Sequence, residues 1–108
     1  MHFKRKEIIF FLEMYSIAKL KNDDISYLLY GKNDNSSLKE DYCFYKYIVL
    51  HVEKWLKKLE KDEIEIISLR YFQNWSLENI AIKLGYANHS SVIYKLNMII
   101  KKIERRDS

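Results

Sequence analysis

One stretch of the sequence decides the fold: residues 76–103, SLENIAIKLGYANHSSVIYKLNMIIKKI. Ser76 is a favourable N-cap, so a short helix is expected to begin after it. Gly85 is placed to end that helix, because glycine tolerates a positive φ. A second helix is expected to begin near residues 89–90 and to reach about Arg105. The inward side of the first helix carries Leu77, Ile80, Ala81 and Leu84. Two helices joined by a glycine-containing turn are therefore predicted.

The second of these helices has two contrasting sides. Its apolar side chains are spaced by four, three and four residues, so they share a narrow arc that holds the helix on the rest of the protein. Hydroxyls and amides on the other side suit base edges in the major groove, and lysines suit phosphates. The apolar arc holds Val92, Leu96, Ile99 and Ile103, and the opposite arc holds Ser90, Tyr94, Asn97 and Lys101, flanked by Ser91 and Met98. A DNA-reading face and an ordinary solvated face both remain open, as do capping and contact roles for residues 88–91.

The rest of the chain also has helical patterns. Residues 3–20 have apolar side chains at helical spacing, and a turn is expected at residues 21–24, KNDD. A short helical piece is expected at residues 25–30, where Gly31 ends it, and residues 31–37, GKNDNSS, read as a loop. The N-terminal unit is therefore predicted to be residues 1–36, a helical segment followed by a loop.

Residues 37–108 are predicted to form the second unit. Ser37 and Glu40 match a capping box, so a helix is expected from Ser37 to about Leu59. A further helix is expected from Asp62 to about Gln73, and the helix-turn-helix is expected at about residues 76–105. The sequence contains no proline and only two glycines. We therefore expect an all-α domain of about five helices with a C-terminal helix-turn-helix.

Composition narrows the function classes. The chain has 108 residues and a net charge of +4, which is only a mild indication of a polyanionic partner. Cys43 is the single cysteine, so an intramolecular disulfide is excluded and a reducing compartment is expected. No segment approaches the roughly 20 apolar residues of a membrane span, and a cytoplasmic location is expected.

Positive charge gathers near the C-terminus, where Lys95, Lys101, Lys102, Arg105 and Arg106 outnumber Glu104.

Enzymatic signatures are weak. His2, His51 and His89 have no metal-ligand spacing with Cys43, and the sequence has no phosphate-binding loop and no nucleophile motif. We expect neither an enzyme nor a cofactor. Arg70 is expected to pair with a carboxylate such as Glu78, and Trp55 and Trp75 are expected to lie in the core or at its edge.

Several short runs carry a family resemblance. They are residues 62–65 (DEIE), 69–72 (LRYF), 76–81 (SLENIA) and 84–85 (LG). Together they resemble region four of bacterial sigma factors and its phage relatives. The chain's size and its preceding helix are most similar to the ArpU/RinA-type phage transcriptional regulators. The resemblance covers about residues 45–104, and it implies a sequence-specific double-stranded DNA-binding protein that regulates transcription.

The turn departs from the sigma pattern by one additional residue after Gly85. With that residue, LGYANHSSVIYKL is similar to the DNA-binding end of the replication initiator DnaA. The histidine and first threonine of that family fall on His89 and Ser90, and its acidic residue falls on Asn88. Ala87 stands where that family has arginine. This similarity implies base contacts by Asn88, His89 and Ser90.

The predicted interface and partners follow from these patterns. We predict DNA contacts by Asn88, His89, Ser90, Ser91, Tyr94, Lys95, Asn97, Lys101 and Lys102. An alternative is a protein-interaction module that acts on RNA polymerase or another protein, and a replication or packaging accessory role is a further alternative. For such a partner, or for a homodimer, the expected surface includes Ile8, Phe10, Phe11, Tyr15 and residues 27–30.

Overall fold

The computed structural model describes residues 3–31 and 36–106, with side chains at 3–23 and 39–105. Within these ranges every regular element is helical and no strand occurs. Five α-helices follow one another, with a five-residue π-helical segment between the third and the fourth. The bounds are α1 (Arg5–Gly31), α2 (Ser36–Leu56), α3 (Lys61–Ile67), the π segment (Ser68–Phe72), α4 (Leu77–Leu84) and α5 (His89–Arg106). The prediction of an all-α domain of about five helices is confirmed.

The first two helices pack side by side along an aromatic seam. The Phe11 ring lies 5.8 Å from the Trp55 ring between centroids, and Phe3 lies against both. Farther along α1, the Tyr15 hydroxyl donates to Glu53 Oε2 at 2.8 Å. Lys19 Nζ donates to the same oxygen at 3.1 Å. α1 also packs against the π segment and α5, so it lies across the C-terminal half of the chain.

The N-terminal half differs from the sequence prediction in two respects. The turn expected at residues 21–24 is wrong, because α1 continues through them and residues 25–30 are its end. Asn22 and Asp23 favour turns, but neither is a helix breaker, and α2 packs along α1. The partner surface proposed for Ile8 and Phe11 is also wrong, because both are buried in the core. Three further predictions fall outside what the structure describes. They concern the side chain of Ser37, the side chains of residues 27–30, and residues 32–35 of the expected loop.

The helix expected from Asp62 to about Gln73 is divided. α3 ends at Ile67, and the chain continues as the π segment, where Gln73 N donates to Ser68 O at 2.9 Å. Asn74 then takes a φ of +58°, a conformation that asparagine tolerates better than most residues. These bonds and this residue turn the chain toward α4.

Both ends of α4 are formed by the residues that the sequence indicates. Ser76 Oγ accepts from Asn79 N at 3.1 Å, so Ser76 is the N-cap. Gly85 has a φ of +80°, and the next amide, Tyr86 N, donates back to Ala81 O at 2.9 Å. Four residues, 85–88, then connect α4 to α5. The predicted N-cap, the glycine terminus and the start of the last helix are confirmed.

α5 is held along its apolar arc by three other helices. Val92, Leu96, Ile99 and Ile103 are all buried, as the spacing predicts. The neighbours of α5 are α4, α1 and α3. Among the helices that the structure describes, none has both the length and the apolar character needed to cross a bilayer.

Candidate nucleic-acid interface

The side of α5 opposite its apolar arc is accessible to solvent. We define the outer face of α5 as Ser90, Tyr94, Met98 and Lys101 together with His89 at the first residue of the helix, and all five are exposed. Tyr94 has 68% of its surface exposed. A large aromatic residue at this exposure gains nothing from core burial. The outer face therefore presents a phenol, a hydroxyl, an imidazole and an ammonium group on one rigid helix.

Asn88 acts as a cap at the start of α5. Its Oδ1 accepts from Ser91 N at 3.1 Å and from Ser91 Oγ at 3.4 Å. Ser91 N also donates to the Asn88 carbonyl oxygen at 3.2 Å, so the side chain of Asn88 adds a second acceptor in the first helical turn. The same two residues, with Tyr86, Ser90, Tyr94 and Lys95, line a shallow groove beside the helix start. Of the polar run, Asn88 and Ser91 thus stabilise the helix, whereas His89 and Ser90 point to solvent.

The outward position expected for Asn97 is wrong. Asn97 is half-buried, and its Oδ1 accepts a hydrogen bond from Arg5 Nη2 in the first turn of α1. The spacing along α5 places Asn97 outside the apolar arc, but α1 crosses at this position. Asn97 therefore joins two helices at the edge of the outer face.

Lys95 and Lys102 lie on the opposite flank of α5, where they face α3. Lys102 Nζ is 2.8 Å from Glu63 Oε1, and both side chains are largely buried. Lys95 Nζ is 3.8 Å from Asp62 Oδ2 in a more exposed pair. These two lysines were predicted to contact DNA, but in the structure they are the basic partners of α3 carboxylates.

The Glu63 carboxylate has a shifted pKa. Burial raises the pKa, but the hydrogen bonds from Lys102 Nζ and Glu60 N and the positive charge of Lys102 outweigh this effect. The pKa of Glu63 is therefore lowered from the ordinary 4.5. Glu63 consequently carries its negative charge at neutral pH and holds the last turns of α5 against α3.

Lys101 is the exposed cation at the C-terminal end of the outer face. Together with Lys95, Met98, Lys102 and Arg105 it lines an open groove that reaches Glu63. This groove continues the outer face toward the C-terminal end of α5. Its predominantly basic lining suits phosphate groups.

Arg5 is a further basic group at this surface, and its sequence neighbourhood does not indicate that position. Arg5 is 92 residues from Asn97 in the chain, yet their side chains are hydrogen-bonded. Lys4 and Lys6 flank Arg5, and all three are exposed. A run of three N-terminal cations is too common to indicate this position, because only the crossing of α1 over α5 brings it to the interface.

The remaining candidate residues have structural partners. Arg70 Nη1 donates to the Trp75 carbonyl oxygen at 3.0 Å, so the expected pairing with Glu78 is wrong although the expected structural role is correct. Trp55 is buried and Trp75 is half-buried, as predicted. Across residues 3–31 and 36–106, no three His, Cys, Asp or Glu side chains gather as a metal-ligand set.

Comparisons with family models, with curated proteins and with solved structures find no match to this chain.

Proposed function

We propose that this protein is a sequence-specific double-stranded DNA-binding regulator of transcription, of phage or mobile-element type, that works by binding in the cytoplasm. The observation that carries the proposal is the outer face of α5. It combines exposed hydrogen-bonding groups with a cation on a helix whose other sides are packed. Solvated helix faces are common, and DNA binding is supported here because the hydroxyls of Ser90 and Tyr94 and the ammonium of Lys101 lie on the same exposed side of α5.

The dimensions of α5 suit the major groove. An α-helix with its side chains is about 10–12 Å across, and the major groove of B-DNA is about 12 Å wide. In the proposed complex the outer face enters the groove, while α4 and the turn at residues 85–88 lie toward the DNA backbone. His89, Ser90 and Tyr94 contact base edges, and Lys101 contacts phosphate.

The other predicted contact residues have supporting roles in this proposal. Asn88 and Ser91 fix the start of α5, and Asn97 fixes its crossing with α1. Lys95 and Lys102 fix its flank against α3. A helix held at its start, middle and end keeps the base-contacting groups in one geometry, which selective recognition requires.

The resemblance to sigma region four supports the same reading. Its SLENIA and LG runs fall on α4 and its terminus, and its LRYF run falls on the π segment beneath α1. Residues at these positions support a recognition helix from the side that faces the protein. The acidic run lies at the start of α3, where Glu63 pairs with Lys102.

A duplex-selection experiment tests the proposal. Purified protein is incubated with random-sequence duplexes at two salt concentrations, and the bound fragments are sequenced. We expect one enriched motif that survives the higher salt. Tyr94→Ala should weaken binding to that motif by about 1–3 kcal/mol and relax its sequence preference. Lys101→Ala should weaken all duplexes alike, and Lys21→Ala, an exposed lysine at a distant site on α1, is the matched control.

A protein partner is the second candidate function, and exposed apolar side chains on α1 favour it. Phe10, Ile17 and Leu20 are all large and exposed, and Leu20 has 69% of its surface accessible. Such side chains are typical of an interaction site for another protein, which includes RNA polymerase or a second copy of this chain. If selection enriches no duplex, sedimentation of the protein alone and with purified polymerase distinguishes these partners.

A further inference from the structure

We propose that the first turn of α1 is a second DNA-binding element, with Lys4, Arg5 and Lys6 contacting the phosphate backbone beside the groove that α5 enters. This inference rests on the proposed function and extends it to a part of the chain outside the family resemblance. We refer to these three residues as the basic turn.

The position of Arg5 carries the inference. Arg5 Nη2 is hydrogen-bonded to Asn97 Oδ1, which locates the basic turn at the middle of α5. At about 100° per residue, Asn97 lies roughly 40° around the helix from Lys101 and roughly 60° from Tyr94. Arg5 therefore lies at the border of the outer face. Its guanidinium has five N–H donors, so the bond to Asn97 leaves donors for phosphate.

In a helix bound in the major groove, each of the two flanks faces one strand of the DNA backbone. Because α5 would nearly fill the major groove, the groups on its two sides face the two sugar-phosphate strands. The α3 flank carries Lys95 and Lys102, whose charges are matched by Asp62 and Glu63. The α1 flank carries the basic turn.

The charge of the basic turn is only partly offset by its own helix. Glu7 is the carboxylate nearest in sequence, and its Oε1 accepts the backbone N–H of Lys4 at 2.9 Å. Three exposed cations thus stand against one exposed carboxylate in residues 4–7. The basic turn therefore has an excess of positive charge that suits phosphate, in addition to the basic groove on the α3 side of α5.

Salt dependence of duplex binding tests the inference. The logarithm of the affinity falls with the logarithm of salt concentration, with a slope of about 0.9 for each phosphate neutralised. We expect Arg5→Ala and Lys6→Ala each to reduce the slope by about 1, on selected and random duplexes alike. Lys21→Ala should leave it unchanged, because Lys21 is on the same helix about 22 Å from Lys6. Arg5→Lys should keep the slope, because it retains the charge.

The controls separate this inference from the proposed function. Thermal unfolding of each variant verifies that the fold is intact, and Asn97→Ala tests whether loss of the Arg5 bond alone changes the slope. If Lys101→Ala flattens the slope while Arg5→Ala and Lys6→Ala do not, α5 binds DNA and the basic turn does not. If the wild-type protein binds no duplex, the proposed function fails and this inference fails with it.

Discussion

The ion pair between Glu63 and Lys102 yields the most specific stability prediction. Glu63→Gln keeps the size and the acceptor oxygen of the side chain but removes its charge. Glutamine also serves at this position of a helix N-terminus, so the bond from Glu60 N is retained. The substitution therefore isolates the charge interaction that joins α3 to the end of α5.

The size of the effect follows from distance and burial. The two groups are 2.8 Å apart, with 11% of the Glu63 side chain and 25% of the Lys102 side chain exposed. Breaking a fully buried pair costs about 3–5 kcal/mol, whereas exposed pairs contribute about 0–1 kcal/mol. We expect Glu63→Gln to lower the free energy of unfolding by about 2 kcal/mol at neutral pH. Asp62→Asn is the matched control, and since Asp62 is 72% exposed and 3.8 Å from Lys95, about 0.5 kcal/mol or less is expected.

The difference should also depend on pH. Because the folded-state pKa of Glu63 is lowered from 4.5, its contribution is fully present above the unfolded-state value. The contribution is lost as the pH falls below about 4.5 and through the folded-state pKa. Urea unfolding of wild type and variant at a series of pH values measures this difference. A difference below 0.5 kcal/mol at neutral pH, or one that stays constant into acid, would refute the reasoning.

Two further predictions concern the turn at residues 85–88. Gly85→Ala should lower the free energy of unfolding in urea by about 1–2 kcal/mol, because a Cβ there meets no atom within 4 Å and only the positive φ opposes it. Gly85→Asn should lower it less, because asparagine tolerates a positive φ. If Gly85→Ala left the free energy of unfolding unchanged, the positive φ would not be required. Asn88→Ala should cost about 1 kcal/mol through loss of the cap, and Asn88→Ser should restore both stability and duplex affinity. A serine variant that is stable but has lost its sequence preference would identify Asn88 as a base-contacting residue instead.

The bounds of α4 and the start and buried side of α5 were well predicted because their signals are local. Ser76 bonds to an amide three residues away, and Gly85 ends a helix through its own φ. The burial of α5 follows from spacing within one helix. Interactions of this kind are contained in a few consecutive residues, so they can be read from the sequence.

The errors arose where distant parts of the chain meet. Asn97 has the helical position of an outward residue, and it is half-buried because α1 crosses there and Arg5 bonds to it. Lys102 resembles any surface lysine until Glu63, 39 residues earlier, is brought to 2.8 Å. Asn22 and Asp23 have turn propensities, but the packing of α2 along α1 outweighs them. The outward positions of Ser90, Tyr94 and Lys101 were predicted, whereas the contacts on the two flanks of α5 were not.

In the proposed complex the outer face of α5 contacts duplex DNA. Titration of isotope-labelled protein with a selected duplex, followed by NMR of backbone amides and side chains, tests it most directly. We expect the largest shift changes at residues 88–101, a second group at residues 4–6, and little change at residues 39–54 of α2. Changes confined to α2, or none at saturating duplex, would contradict the account.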